Sequence, residues 1–416
     1  MEDLRNSSLK FFTDQELCYA DIVPPSQVRA RIEVSVLSFL KILNASNPAI
    51  SDLPLIHGKL SSSRVNHGLL TRLSYVFLSI ETKNWINNLI QRKSSNSRVN
   101  HGLLTELSYV FLSNSVSTRS LMRPNAAKAF VRVWKVMEMC YQILLQEKRV
   151  TQRELFYKLL CHSQHLFPSQ KDVNRTIQDL VALLRCSRYS LGIMASSRGI
   201  IAGRLILQEP GKEAVDCSVC GSSGHAISGD LNLLDKLILN ADARYIIIVE
   251  KHAIFQRLAE DRFFNQIPSI LITAKGYPDI ATRFLLHRIS RAFPDLPILA
   301  LVDWNPAGLA ILCTFKFGSV GMGLESYRYA CNVKWLGLRG HDLPMLPDQS
   351  FVPLKTKDLQ IAQSLMSSRI LPENYKEEVT LMVESGRRAE IEALYFHGYD
   401  YLGKYIAKKI VQSDYI

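Results

Sequence analysis

Two acids stand where runs of strand-forming residues end. Tyr245-Ile-Ile-Ile-Val249 leads directly into Glu250, and Pro297–Val302 leads directly into Asp303-Trp304-Asn305. Both runs are continuously apolar, as strands buried on two faces are. If they lie parallel in one sheet, their ends share the edge at which open α/β sheets bind ligands. Carboxylates grouped there can hold Mg2+ through hard oxygen ligands. The same residue types also cap the helices that follow strands. Metal binding and helix capping are therefore both open for the acids Glu250 and Asp303. A weaker signal is Cys217-Ser-Val-Cys220 with His225 nearby, half of a zinc ligand set. No second pair stands at a matching spacing, so it reads as a thiol pair in a loop.

The elements that position these acids follow from the pattern around them. Ser269–Thr273 and Val333–Leu338 are further strands, and Ala253–Arg262, Ile280–Phe293 and Ala307–Phe315 are helical. Strands alternating with helices predict a mostly parallel sheet. Upstream, Ala126–Glu147 is amphipathic, with Phe130, Val133, Trp134, Met137, Cys140, Tyr141, Leu144 and Leu145 on its apolar side. Thr151-Gln-Arg-Glu154 is a capping box that opens a second helix to about Leu160. Ser169 caps a third helix, which carries Val173, Ile177, Leu180, Val181 and Leu184 on one face. Two β-rich pieces, Ser190–Met194 and Gly199–Leu207, follow across Ala195-Ser-Ser-Arg-Gly199 and predict a hairpin. Three helices and a hairpin make a winged helix, whose third helix enters the major groove while the wing touches backbone. Lys171, Asn174, Arg175 and Gln178 are its candidate contacts, with Arg198 in the wing.

Charge agrees with that reading. The chain of 416 residues has 50 Lys+Arg and 38 Asp+Glu, formally +12. Between Leu121 and Pro210 there are 14 Lys/Arg and six Asp/Glu, so +8 of that excess falls in 90 residues. A positive field this concentrated suits a polyanion. Apolar residues at 47% rule out wholesale disorder. No apolar run approaches the ~18 residues of a membrane span. The N-terminus lacks a basic stretch followed by an apolar one, so no signal peptide is expected. The eight cysteines are scattered, which is intracellular usage rather than a disulfide framework.

The fold class expected is α+β multidomain, with four parts. Residues 1–124 form a partly ordered N-terminal adaptor, containing the helical stretch Ala30–Leu43 and the loops Val23–Ser26 and Asn44–Pro54. It also contains a tandem duplication: Ser63–Ser79 and Ser97–Ser113 agree at 16 of 17 positions, differing at Arg72 and Glu106. Residues 125–210 are the winged-helix domain, 211–240 a linker, and 241–416 the α/β domain with a C-terminal extension.

Several blocks together resemble a known family. A strand ending in Glu250, then a strand ending in Asp303-x-Asn305, is similar to the Toprim metal-binding domain of topoisomerases and primases. Thr273-Ala-Lys-Gly-Tyr-Pro-Asp279 with Arg283, Lys316-Phe-Gly-Ser319, and Arg153-Glu-Leu-Phe-Tyr157 look like blocks of the topoisomerase VI (type IIB) A-subunit family, in that family's order. The resemblance extends from about Lys128 to the C-terminus. Within the family the chain is most similar to the eukaryotic meiotic double-strand-break proteins, and among them to a plant meiotic paralogue.

The resemblance implies a nuclear transesterase that starts homologous recombination. Tyr157 would attack a DNA phosphodiester and become joined to the 5′ end. Arg153, four residues earlier on the same helix face, would hold the phosphate. Mg2+ would sit on Glu250, Asp303 and Asn305, in a composite site of a homo- or heterodimer with a paralogous A-type subunit. Lys275 and Arg283 would orient the DNA or the acids. The family's usual Asp-x-Asp is Asp303-x-Asn305 here, which weakens the hold on a second metal. No G-x-x-x-x-G-K-[S/T] occurs, and the family's ATP-hydrolysing function belongs to a separate topoisomerase VI B-like subunit. Two other readings compete: a non-catalytic DNA-binding and dimerisation subunit supporting a catalytic paralogue, and a Toprim nuclease or primase that does not use Tyr157.

Overall fold

The computed structural model describes residues 20, 22–43, 52–55, 117–120, 124–184, 186–318, 325, 329–368 and 371–416. The duplicated segments 63–79 and 97–113 lie outside the described residues. The chain forms two compact units, one holding the described residues up to Met194 together with Glu325, the other running from Ala195 onward.

The first unit is helical. It contains α1 (Pro25–Leu43), β1 (Asp52–Leu55), β2 (Ser117–Ser120), α2 (Pro124–Leu145), β3 (Val150–Thr151), α3 (Gln152–Ser163), α4 (Gln170–Leu184) and β4 (Ile193–Met194). The apolar faces of the helices meet in one core, with Val28 and Ile32 from α1, Val133 and Met137 from α2, Leu155 and Leu159 from α3, and Val173, Ile177 and Leu180 from α4. The capping box forms as expected: Thr151 accepts from Glu154 N, and Glu154 accepts from Thr151 N. Asp172 in the first turn of α4 pairs with Arg132 of α2 at 2.9 Å, where the helix dipole favours an acid. Two segments read as loops are structured: Pro25 and Ser26 begin α1, because proline fits the first turn of a helix, and Asp52–Pro54 pairs with β2.

The second unit is built on a six-stranded sheet. Its elements are β5 (Ile200–Gly203), β6 (Ile206–Gln208), β7 (Ala214–Asp216), β8 (His225–Ala226), α5 (Leu231–Lys236), β9 (Ile238–Asn240), β10 (Tyr245–Val249), α6 (His252–Glu260), α7 (Phe263–Gln266), β11 (Ser269–Thr273), α8 (Ile280–Ala292), β12 (Ile298–Leu301), α9 (Pro306–Phe317), β13 (Val333–Trp335), β14 (Phe351–Pro353), α10 (Thr356–Met366), α11 (Glu373–Ser385), β15 (Arg387–Ala389) and α12 (Tyr401–Val411). The sheet order is β13-β12-β10-β11-β5-β8. Strands β13, β12, β10 and β11 are parallel, and β5 and β8 are antiparallel additions. Strands β10, β11 and β12 have no face that meets water, which explains their unbroken apolar sequence.

The expected wing hairpin does not form. Strand β4 pairs in parallel with β3, while β5 joins the central sheet beside β11. Ile200-Ile201-Ala202-Gly203 is buried along its whole length, a pattern that suits a sheet interior and not a two-stranded ribbon with one wet face. Gly203 makes the fit possible: it has φ +96°, and a side chain there would strike Ser269 O. The segment 211–240 is not a linker either. It supplies β7 and β9, which flank β6 in a three-stranded antiparallel sheet, and β8 at the edge of the large sheet. Its short strands lack the length and apolar content that would mark them in sequence.

Candidate active site

Adjacent parallel strands bring the two acids together. Residues of β10 pair with β12 in parallel register, Val249 opposite Leu301, so Glu250 and Asp303 leave the sheet at the same edge. The ladder continues one residue further, Glu250 N donating to Leu301 O at 3.1 Å. Glu250 Oε2 then accepts from Asp303 N at 3.0 Å. Asp303 Oδ1 accepts from Ile391 N at 2.9 Å, and its Oδ2 lies 3.2 Å from Lys251 Nζ. Neither acid caps a helix: the N-cap of α6 is Lys251, with no side-chain cap bond, and Asp303 is held by Ile391 instead.

Burial sets the electrostatics. Glu250 is 9% exposed and Asp303 3%. Burial, then the nearby Asp303 charge, pushes the Glu250 carboxyl up to about 8. Burial likewise pushes Asp303 up to about 6, against the opposing pull of Lys251. Two carboxyls driven toward their protonated forms by a dry site are groups that a divalent cation would ionise and bind.

Asn305 has a different place. It is the N-cap of α9, its Oδ1 accepting from Gly308 N at 2.7 Å. The sequence reading named Asn305 only as a metal ligand, and its N-cap role went unforeseen. Its amide oxygen is already committed to the helix. Between Asp303 and Asn305, Trp304 is fully buried; its indole Nε1 donates to Glu378 Oε2 at 2.8 Å, and its carbonyl accepts from Ala389 N at 3.1 Å. Gly308 brings the start of α9 against the acids: a side chain there would lie 2.6 Å from Asp303 O and 3.1 Å from Glu250 Oε2.

The loop after β11 approaches the same edge. Gly276 N donates to Glu250 O at 2.9 Å. Lys275 is exposed, with φ +59°. Arg198 is exposed as well, and lies on this loop rather than in a wing: its guanidinium donates to Tyr277 O at 3.0 Å and its backbone N to Asp279 Oδ2 at 3.0 Å. Asp279 also caps α8 through Thr282 N. Arg283 does not reach the surface. It is 2% exposed and lies over the Tyr329 ring, because position 283 falls on the buried face of α8 with Phe284 and Leu286. A buried guanidinium makes no contact with a duplex at the surface, so this expectation is corrected.

Three residues beside the acids are missing from the sequence reading. Lys251 Nζ bonds Glu390 Oε2 at 2.8 Å and Glu392 Oε2 at 2.5 Å besides Asp303. Burial alone would lower the Lys251 ammonium, but the Asp303 charge and the two glutamate hydrogen bonds outweigh it and raise it. The faint signals were a lysine directly after the strand-end Glu250 and the Glu390-x-Glu392 spacing.

In the helical unit, α3 turns Leu155, Leu159 and Ser163 inward and leaves Arg153 and Tyr157 outside. Tyr157 is 51% exposed, so it is no core tyrosine; its ring leans on half-buried Phe156, with centroids 5.4 Å apart. Among the described residues neither the Arg153 guanidinium nor the Tyr157 hydroxyl has a hydrogen-bond partner. Lys171, Asn174 and Arg175 are exposed on one side of α4, and Gln178 is half-buried. Cys217 is buried, with its thiol pushed up to about 12 by burial, and Cys220 donates to Asp216 O. Among the described residues the one group with three close metal-ligand atoms is His341, Asp342 and Asp414. Lys409 and Arg339 already neutralise it.

Known proteins are similar to this chain. Residues 128–193 match the family described as type IIB DNA topoisomerase, and residues 245–410 match the Toprim domain of the topoisomerase 6 A-subunit/Spo11 family. The meiotic recombination protein SPO11-2 of Arabidopsis thaliana is 68% identical over 410 residues, covering 99% of this chain and 98% of the relative. The A subunit of DNA topoisomerase 6 from the same plant is 35% identical over 72% of this chain and 70% of the relative. The human meiotic recombination protein SPO11 is 34% identical over 70% of this chain and 74% of the relative. With strand-end acids on a parallel sheet and an exposed Arg–Tyr pair on a separate helical unit, the chain belongs to the topoisomerase VI A-subunit/Spo11 family.

Proposed function

We propose that this chain is a nuclear transesterase that makes double-strand breaks in meiotic DNA and so initiates recombination. The observation that carries the reading is the half-exposed Tyr157, whose hydroxyl has no hydrogen-bond partner among the described residues, with Arg153 one turn away on α3. The Tyr157 phenol oxygen would attack a backbone phosphorus. The phenol gives up its proton as its bond to phosphorus forms, the bond from phosphorus to the 3′ oxygen breaks, the departing oxygen takes up a proton and leaves as the 3′ hydroxyl, and the DNA stays joined to tyrosine through its 5′ phosphate. A phenol with a pKa of ~10 is a weak nucleophile at neutral pH. Arg153, with two N–H groups to offer one phosphate, would neutralise charge as it develops.

Glu250 and Asp303 fit a hard cation: their ligand atoms are oxygens, and the Lys251 ammonium already lies against Asp303. Glu250 and Asp303 would hold Mg2+, which when bound supplies positive charge beside the scissile phosphate. Asn305 keeps those acids in place by capping α9. Lys275 and Arg198 would meet DNA backbone near the acids, and Lys171, Asn174, Arg175 and Gln178 would meet it from α4. Such contacts position a duplex with little sequence preference. The partners proposed are double-stranded DNA, a second A-type subunit that completes the composite site, and a topoisomerase VI B-like subunit carrying the ATP site.

A second reading draws support from Asn305, an amide where the family pattern has an acid, which leaves two acids rather than three. In that reading the chain binds DNA and dimerises while a paralogue cuts. Covalent capture separates the two. Protein recovered under denaturing conditions from meiotic tissue is digested, and mass spectrometry locates any nucleotide adduct. A 5′-phosphotyrosyl adduct on Tyr157 supports the transesterase. An adduct on the paralogue alone, in the same sample, sinks it in favour of the supporting role.

A further inference from the structure

Asp303 is held at one oxygen by the segment Glu390-Ile391-Glu392 and at the other by Lys251, which that segment's glutamates grip. Oδ1 takes the Ile391 backbone N–H at 2.9 Å, and Oδ2 takes Lys251 Nζ at 3.2 Å, which Glu390 and Glu392 grip in turn at 2.8 and 2.5 Å. One ammonium thus lies among three carboxylates, directly after Glu250 in the chain. A cation at Asp303 has to compete for Oδ2, since Oδ1 is held by backbone.

The Asp303 contact is the longest of the three Lys251 makes. It is also the driest: the Asp303 side chain is 4% exposed, against 42% for Glu390 and 38% for Glu392. Lys251 can therefore hand Asp303 Oδ2 to an entering cation, which replaces its charge there, and stay paired with the two wetter glutamates. Removing the ammonium without replacement leaves the buried Asp303 carboxylate without its counter-charge, facing two partly exposed carboxylates.

We propose that Lys251 is a built-in counter-cation of the Toprim acids, holding Asp303 with Glu390 and Glu392 when no metal is present and giving up Asp303 Oδ2 as a divalent cation enters. The ammonium stays protonated throughout, and metal uptake is an exchange of one cation for another. The device rests on the reading of Glu250 and Asp303 as metal ligands. It makes metal affinity weaker than the carboxylates alone would give, and it keeps the apo site folded.

The test uses the full chain and Mn2+ as the probe, with free Mn2+ read by electron paramagnetic resonance and unfolding followed by circular dichroism. Lys251→Met is expected to bind Mn2+ about tenfold tighter than the wild type, one competing charge near a buried site being worth roughly one decade. It is also expected to melt lower in chelator and to gain more from Mn2+. Lys251→Arg, which keeps the charge, is expected to remain within about threefold of wild type in affinity, by the same reasoning. If Lys251→Met folds only with metal, its Mn2+ release in a chelator titration gives the affinity. Unchanged or weaker Mn2+ binding by Lys251→Met overturns the proposal and makes Lys251 structural or metal-supporting. Wild-type binding that survives Glu250→Gln and Asp303→Asn, or no binding by any variant, instead removes the ligand assignment itself, and the inference with it.

Discussion

Glu250 Oε2 accepts a hydrogen bond from the backbone N–H of Asp303 at 3.0 Å, so the first acid is aimed by the peptide that carries the second. Two strand ends that lie 53 residues apart in the chain are locked at one point of the sheet edge. Gly308 allows the start of α9 to close over them.

Metal affinity should rise with pH. Burial holds Glu250 up at about 8 and Asp303 at about 6, and a carboxyl must lose its proton to bind a cation. Mn2+ affinity measured calorimetrically should climb from pH 6 to 8 by up to about tenfold per unit and level off above 8. The metal-free protein should show the opposite trend in stability. The native state retains a proton that the unfolded state, with a glutamate value of ~4.3, has lost, so stability falls as pH rises toward 8. A flat affinity profile over this range would contradict the assignment of Glu250 as a ligand.

Asn305 should behave as a cap. Asn305→Ala removes the bond to Gly308 N and should cost about 1 kcal/mol in chemical denaturation. Asn305→Asp keeps a good cap and should fall within about 0.5 kcal/mol of wild type. Mn2+ affinity should change little in Asn305→Ala and fall more than about tenfold in Asp303→Asn, which removes a ligand charge. Equal losses in the two variants would restore Asn305 as a ligand.

Trp304 is the anchor between the two functional positions. Trp304→Ala empties a fully buried indole site and should cost about 3–5 kcal/mol. Trp304→Phe loses the Nε1 bond to Glu378 Oε2 while Gly340 N still donates to that oxygen, so it should cost about 1–3 kcal/mol. Denaturant midpoints with and without Mn2+ would check both values. A surface-like effect in Trp304→Ala would mean that the acids are held by other contacts.

Arg153 should matter for chemistry and little for stability. It is exposed and, among the described residues, unbonded. Arg153→Ala should leave unfolding within about 0.5 kcal/mol of wild type, yet lower the yield of covalent DNA adduct about 100-fold. Arg153→Lys should recover part of that yield, because an ammonium supplies charge without the bidentate fork. Adduct yield indifferent to both variants would make Arg153 a solvated helix charge.

The sequence by itself determined the elements and the two strand-end acids. Unbroken apolar runs specify strands buried on both faces, the Thr151–Glu154 box starts α3, and the periodicity of Val173, Ile177 and Leu180 turns α4 inward. These signals are local, since burial and backbone hydrogen bonding act over a few residues, and they survive without knowledge of what packs against them. Tertiary structure alone decided what each polar group would meet. Lys251 and Glu390 are 139 residues apart and touch because the chain returns along β15 to the edge of the sheet. Asn305 and Asp303 were equal candidates in sequence, and the direction in which α9 starts made one a cap and the other a buried acid. Arg283 and Lys275 looked alike as cations after a strand, and the packed face of α8 buried the first while a left-handed loop exposed the second. Ile200–Gly203 joined the central sheet because its residues are buried on both sides there, a gain that no turn signal near Ser196 could reveal.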